Sequence, residues 1–231
     1  MNSPLPQLGL ALFPFFAALA THGADTTSEP AAGPAANQFP DSLPAALSQG
    51  HAEKQWESSL SNAFLMPGNQ AYLQPTLATD HDWLHLEARF NYEATDTGSA
   101  WVGYNFSFGE KLSVAFTPMV GAVVGETTGF APGYEISAEW WKLEFYKEGE
   151  YLIDSDTKND NFYYSWAEFR LAPVEWARVG MVVQRTKLYQ TEFDTQRGFM
   201  AGFSFKNLDL NAYLFNPDKD PFFVLSVRIG F

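Results

Sequence analysis

The 231 residues predict an all-β fold: a closed, antiparallel, up-and-down transmembrane β-barrel of about ten strands, with twelve as the alternative, behind a short N-terminal helix. Three observations carry this. Apolar side chains recur at every second position through most of residues 83–231. Successive strand side chains point to opposite faces, so each such segment has one greasy face and one polar face. The segments run to roughly 10 residues, the length of a tilted membrane strand. The connections alternate between short and long, as they do in membrane barrels with short turns on one side and longer loops on the other.

Residues 1–20, MNSPLPQLGLALFPFFAALA, form an apolar stretch ending in the small-x-small pattern Ala18-Leu19-Ala20. This predicts a signal peptide, although the usual basic start is missing and the first Lys or Arg is Lys54. Residues 21–44 contain Pro30, Pro34, Pro40 and Pro44 among Ala, Thr and Gly, and read as a disordered linker. Residues 45–67 read as a short helix, because Trp56, Leu60 and Phe64 lie four apart and Met66-Pro67-Gly68 would stop it. Such a helix would dock on the following domain or plug the mouth of the barrel.

The barrel is expected over residues 68–231. The ten-strand reading takes 83–93, 99–108, 111–125, 133–147, 150–155, 161–172, 174–187, 197–206, 207–216 and 221–231 as strands. It places tight turns at Gly109-Glu110, Lys147-Glu148-Gly149, Ala172-Pro173 and Lys206-Asn207, and a bulge at Trp140-Trp141. The twelve-strand reading adds Gln70–Thr79 and a segment near 60–66. Pro75 and Pro118 lack a ladder donor and belong at an edge, a bulge or a strand end. Tyr92, Trp83, Trp140, Trp141, Tyr151, Tyr163, Trp176, Phe222 and Phe231 lie near expected strand ends, where interfacial aromatic girdles form.

Composition excludes several functions. Lys and Arg number 14 against 27 Asp and Glu, so the basic footprint of a nucleic-acid binder is missing. Without Cys there is no thiolate metal site, cysteine nucleophile or disulfide framework. The mean hydropathy of −0.20 argues against a bundle of membrane helices.

The final segment, with Phe223, Leu225, Val227, Ile229 and the terminal Phe231 at two-residue spacing, resembles the assembly signal of Gram-negative outer-membrane β-barrel proteins. The resemblance covers about residues 70–231. It implies an outer-membrane location reached through the periplasm, with lipid and the barrel-assembly machinery as partners. A monomer is expected.

Charged side chains on the polar faces form the candidate site. His85, Glu87 and Arg89 make one lumen-facing row, and Glu168, Arg170, Arg178, Asp209 and Arg228 are expected to face the same interior. They would either fill a narrow barrel with ion pairs or form a charged constriction. No catalytic residue, metal or cofactor is assigned. Asp80-His81-Asp82 sets a His between carboxylates, but at the short-turn edge, and the acidic loop Asp154, Asp156, Asp160 matches no EF-hand spacing. The leading function is a non-enzymatic outer-membrane barrel, structural or a narrow passive pore. The alternatives are a surface hydrolase of lipid or peptide, or a soluble periplasmic barrel binding an apolar ligand.

Overall fold

The computed structural model describes residues 55–66 and 72–231, and every element among them is strand except one 3₁₀ turn, Lys158–Asp160. Thirteen strand segments close into a barrel of twelve strands. They are β1 Glu57–Met66, β2 Tyr72–His81, β3 Leu84–Phe90, β4 Thr97–Tyr104, β5 Phe106–Phe108, β6 Leu112–Gly125, β7 Gly129–Trp140, β8 Leu143–Asp154, β9 Phe162–Val174, β10 Ala177–Leu188, β11 Asp194–Phe205, β12 Leu208–Phe215 and β13 Phe222–Gly230. Each strand pairs antiparallel with its chain neighbours, and β1 pairs with β13 to close the cylinder.

Segments β4 and β5 are one strand broken at Asn105, and the break has a cause. Both pair with β6, through Gly103↔Met119 before the break and Phe106↔Phe116 after it. The register is the same on both sides, and Pro118, between the two pairings, has no N–H to donate there. On the β3 side the Asn105 N–H donates to the Trp83 carbonyl at 2.7 Å. Pro75 also sits where a donor is dispensable: it pairs with Asn62 of β1, while pairing with β3 begins one residue later at Thr76.

The strand count corrects the ten-strand expectation to twelve. Residues 57–66 are strand rather than helix, with Ser59, Ser61, Ala63 and Leu65 buried and Leu60 and Phe64 exposed. A spacing of four keeps Trp56, Leu60 and Phe64 on one face of a helix or of a strand, and the alternating small residues between them decide for the strand. The expected helix over 45–54, the linker and the signal peptide lie outside the described residues. The pair 133–147 and 150–155 is also corrected. The turn falls at Trp141-Lys142, and Trp141 adopts φ 58°, as two-residue hairpin turns require. Lys147, Glu148 and Gly149 lie inside β8, and the turn expected at Ala172-Pro173 falls at Glu175-Trp176.

The outer surface is apolar, with Leu73, Leu77, Val102, Val120, Met181, Phe199 and Leu225 all exposed. A monomer in water does not display such a continuous apolar belt, whereas a lipid-facing barrel requires one. Trp83, Trp140, Trp141, Trp176 and Phe231 are exposed at the short-turn rim, and Phe64, Phe130, Tyr151 and Phe193 toward the long loops. Tyr92 and Phe222 do not join these girdles. Tyr92 is buried, and Phe222 stacks on Phe215 at 4.9 Å.

A closed barrel has no free edge to start unfolding from. The folded protein is therefore expected to migrate differently on an SDS gel before and after boiling. Identical mobility would contradict the closure.

Candidate functional site: the lumen

A twelve-stranded barrel is wider than the eight-stranded kind that ordinary side chains just fill. Here the interior is filled by large residues. Trp166, Phe215 and Leu152 have 0% exposure, and Tyr146, Tyr164, Tyr213 and Trp101 are no more than 3% exposed. The inward phase of β9 and β12 brings them together: the Trp166 ring lies 5.2 Å from Tyr213 and 5.3 Å from Phe215. Trp101 fits because two inward positions opposite it lack side chains. A Cβ on Gly121 would come within 2.4 Å of the Trp101 ring, and one on Gly133 within 2.8 Å.

The rest of the lumen is polar, and much of it is charged. The structure places His85, Glu87, Arg89, Glu168, Arg170 and Arg228 on the inward face, all buried, with Arg178 and Asp209 half-buried beside them. Two groups result. In the first, Arg89 donates from Nε to Glu87 at 2.6 Å and from a terminal nitrogen to Glu150 at 3.1 Å. Its guanidinium also lies 4.4 Å from the Tyr92 ring centre and 4.5 Å from that of Trp101, within cation–π range. Glu148 accepts from Tyr92 at 2.6 Å and from Tyr146 at 2.7 Å. In the second, Glu144 binds Arg170 at 2.9 Å and Arg178 at 3.1 Å, and Arg178 continues through Ser204 to Asp209. Trp166 donates to Glu168 at 2.7 Å, which joins this group to the aromatic layer.

Sequence reasoning missed Glu135, Glu144, Glu148 and Glu150: the expected turn took in Glu148 and left Glu150 at the start of the next strand, and the phase slip expected at Trp140-Trp141 hid that Glu135 and Glu144 share one face. Their signal was present: Glu144, Tyr146, Glu148 and Glu150 alternate with Phe145, Lys147, Gly149 and Tyr151. With them the lumen becomes strongly acidic. Around Arg89 stand Glu87, Glu93, Glu135, Glu148 and Glu150, all from inward-facing or buried positions.

The histidines separate in role. His85 is 4% exposed, and its Nδ1 lies 2.8 Å from Asp80. Its Nε2 is 3.2 Å from Glu87. His81 instead packs its ring 4.7 Å from Trp56 at the rim. Asp80 thus orients His85 rather than its sequence neighbour. Among the described residues, His85, Glu87 and Glu135 can bring three ligand atoms within 4.8 Å of one another.

The acidic loop is organised by its own backbone. Asp154 accepts the N–H groups of Asp156 and Thr157 at 2.8 and 2.9 Å, an Asx turn. Loss of hydration and the charges of Asp154 and Asp156 push the Asp160 carboxyl above its usual range. The inferred assembly-signal residues Phe223, Leu225, Ile229 and Phe231 lie exposed on the outer face, with Val227 half-buried between them.

No protein-family model matches this chain, and no curated protein does. Its fold is similar to that of solved outer-membrane barrels. The KdgM porin shares 13% identity at a TM-score of 0.53, over 75% of this chain and 99% of that one. A structure of the KdgM porin in complex with disordered oligogalacturonate gives 13% identity and 0.54 over the same shares. The outer membrane protein Omp33 of Acinetobacter baumannii has 9% identity and a TM-score of 0.45, over 78% of this chain and 99% of that one. The shared fold is that of a porin-like outer-membrane β-barrel.

Proposed function

We propose that this chain is a non-enzymatic, integral outer-membrane barrel whose lumen is sealed by its own side chains to everything larger than water and small cations. The observation that carries this is the aromatic layer. Trp166 and Phe215 are 0% exposed although they point into the lumen. A side chain lining an open channel would be wet. The acidic majority around Arg89 then sets the sign of what could approach, because rings of carboxylates favour cations. Lipid covers the outer belt, and the outward row of Phe223, Leu225, Ile229 and Phe231 serves barrel assembly.

A wider passive pore is the second reading. The overall likeness to the KdgM porin favours it. The oligogalacturonate in one of those structures is a polyanion, and the acidic lumen of this chain opposes such a solute.

Reconstitution into liposomes and planar bilayers tests both readings. Vesicles carrying the protein are expected to swell in a neutral trisaccharide no faster than protein-free vesicles. Any current steps should be small and cation-selective. Rapid trisaccharide entry or anion-selective steps would overturn the sealed barrel.

A further inference from the structure

We infer that His85, Glu87 and Glu135 form a binding site for one divalent transition-metal ion of the zinc type inside the lumen. The proposal goes beyond the sealed-barrel reading and does not depend on it.

The geometry comes first. The three residues present an imidazole nitrogen and two carboxylates, a donor set suited to zinc and its neighbours. Tetrahedral zinc with bonds of about 2.0–2.1 Å holds its ligand atoms about 3.3 Å apart. His85 Nε2 and Glu87 Oε1 are 3.2 Å apart. Both atoms are buried, with the His85 side chain 5% exposed and that of Glu87 0%, and they face each other with no hydrogen-bond partner beyond this contact. A cation seated between them would bind a lone pair from each in place of that single contact.

Each ligand is also held from behind. Asp80 takes His85 Nδ1 at 2.8 Å, which leaves Nε2 as the ligating nitrogen. Asp80 is itself held by Asn105 at 2.6 Å. Arg89 grips the other oxygen of Glu87 at 2.6 Å, and the Tyr146 hydroxyl, shared with Glu148, lies 3.1 Å from Glu135. Such outer partners are what metal-ligating His and carboxylate groups usually have.

Charge gives the third argument. Burying several carboxylates around one guanidinium is costly unless the excess is neutralised. A dication bound by neutral His85 and the anions of Glu87 and Glu135 offsets two of those negative charges. It also ties β3 to β7 across the interior, leaving a fourth position for water.

The test uses the full-length protein, refolded in detergent, stripped with a chelator and titrated with Zn²⁺ against a chromophoric competitor. One equivalent is expected to bind. Glu135→Gln and His85→Gln should each weaken binding at least about 100-fold, and Asp80→Asn about 10- to 100-fold. Asp156→Asn, in the outer loop, should bind as the wild type does. Zinc-edge absorption spectroscopy should show one imidazole among oxygen ligands. The boiling-dependent gel shift verifies that each variant is folded, and Glu135→Gln carries the test if His85→Gln does not fold. Folded wild-type protein that binds no stoichiometric Zn²⁺, or binds it equally well as Glu135→Gln, overturns the site.

Discussion

Replacing Arg89 by Leu is expected to cost about 3–5 kcal/mol of stability, because it leaves Glu87 and Glu150 buried without their cation. The guanidinium does three things that Leu cannot. It forks between two carboxylates, it lies within cation–π range of Tyr92 and Trp101, and it offsets the surrounding acidic side chains. Lysine keeps the charge but has neither the fork nor the planar face, so Arg89→Lys should fall between wild type and Leu. Urea unfolding of the refolded protein in detergent measures the difference. A Leu variant as stable as wild type would mean that these carboxylates are accommodated by something other than Arg89.

The double replacement Trp166→Ala with Phe215→Ala is expected to turn a sealed barrel into a conducting one. Truncating a buried Trp or Phe to Ala typically costs about 3–5 kcal/mol, through lost burial and the cavity left behind. Here that cavity opens along the lumen toward the charged half, so water enters it and part of the loss is recovered. The closed ladder of backbone hydrogen bonds is untouched, and the variant should still show the gel shift of a folded barrel. Planar bilayers should then record cation-selective steps absent from wild type. A folded double variant that stays silent would place the seal elsewhere in the lumen.

The sequence carried the architecture well wherever one face was apolar and the other was not. Residues 221–231 and 83–93 show this, since Phe223, Leu225 and Ile229, or Leu86, Ala88 and Phe90, alternate with polar or small partners. It was ambiguous where two structures share a spacing, as with Trp56, Leu60 and Phe64. It misled where turn chemistry was missing. Trp141 occupies a left-handed turn position with no Gly or Asn to announce it, whereas Lys147-Glu148-Gly149 looks like a turn and is not one. Gly149 sits on the outer face under Tyr134, where a Cβ would lie 2.8 Å from the phenol oxygen. That glycine marks a close side-chain approach, which only the paired strand reveals. The inward row of His85, Glu87 and Arg89 followed from alternation alone. That Glu135 reaches the same point from β7 did not, because proximity across a lumen leaves no trace in local periodicity.

The seam between the first and last strands sets the order of events in making this molecule. Ser59 pairs with Gly230 and Leu65 with Val224, and Ser58 and Phe231 exchange backbone hydrogen bonds at 3.1 and 2.8 Å. Every other pairing joins strands that are close along the chain, so those hairpins can zip locally. The seam alone joins opposite ends of the barrel sequence, and its loop-closure entropy is met only once β13 has been made. Until then β1 and β13 each expose a row of unpaired donors and acceptors, which is the most aggregation-prone form this chain can take. Closure is therefore a single late event, and a lesion in either terminal strand leaves two open edges rather than one.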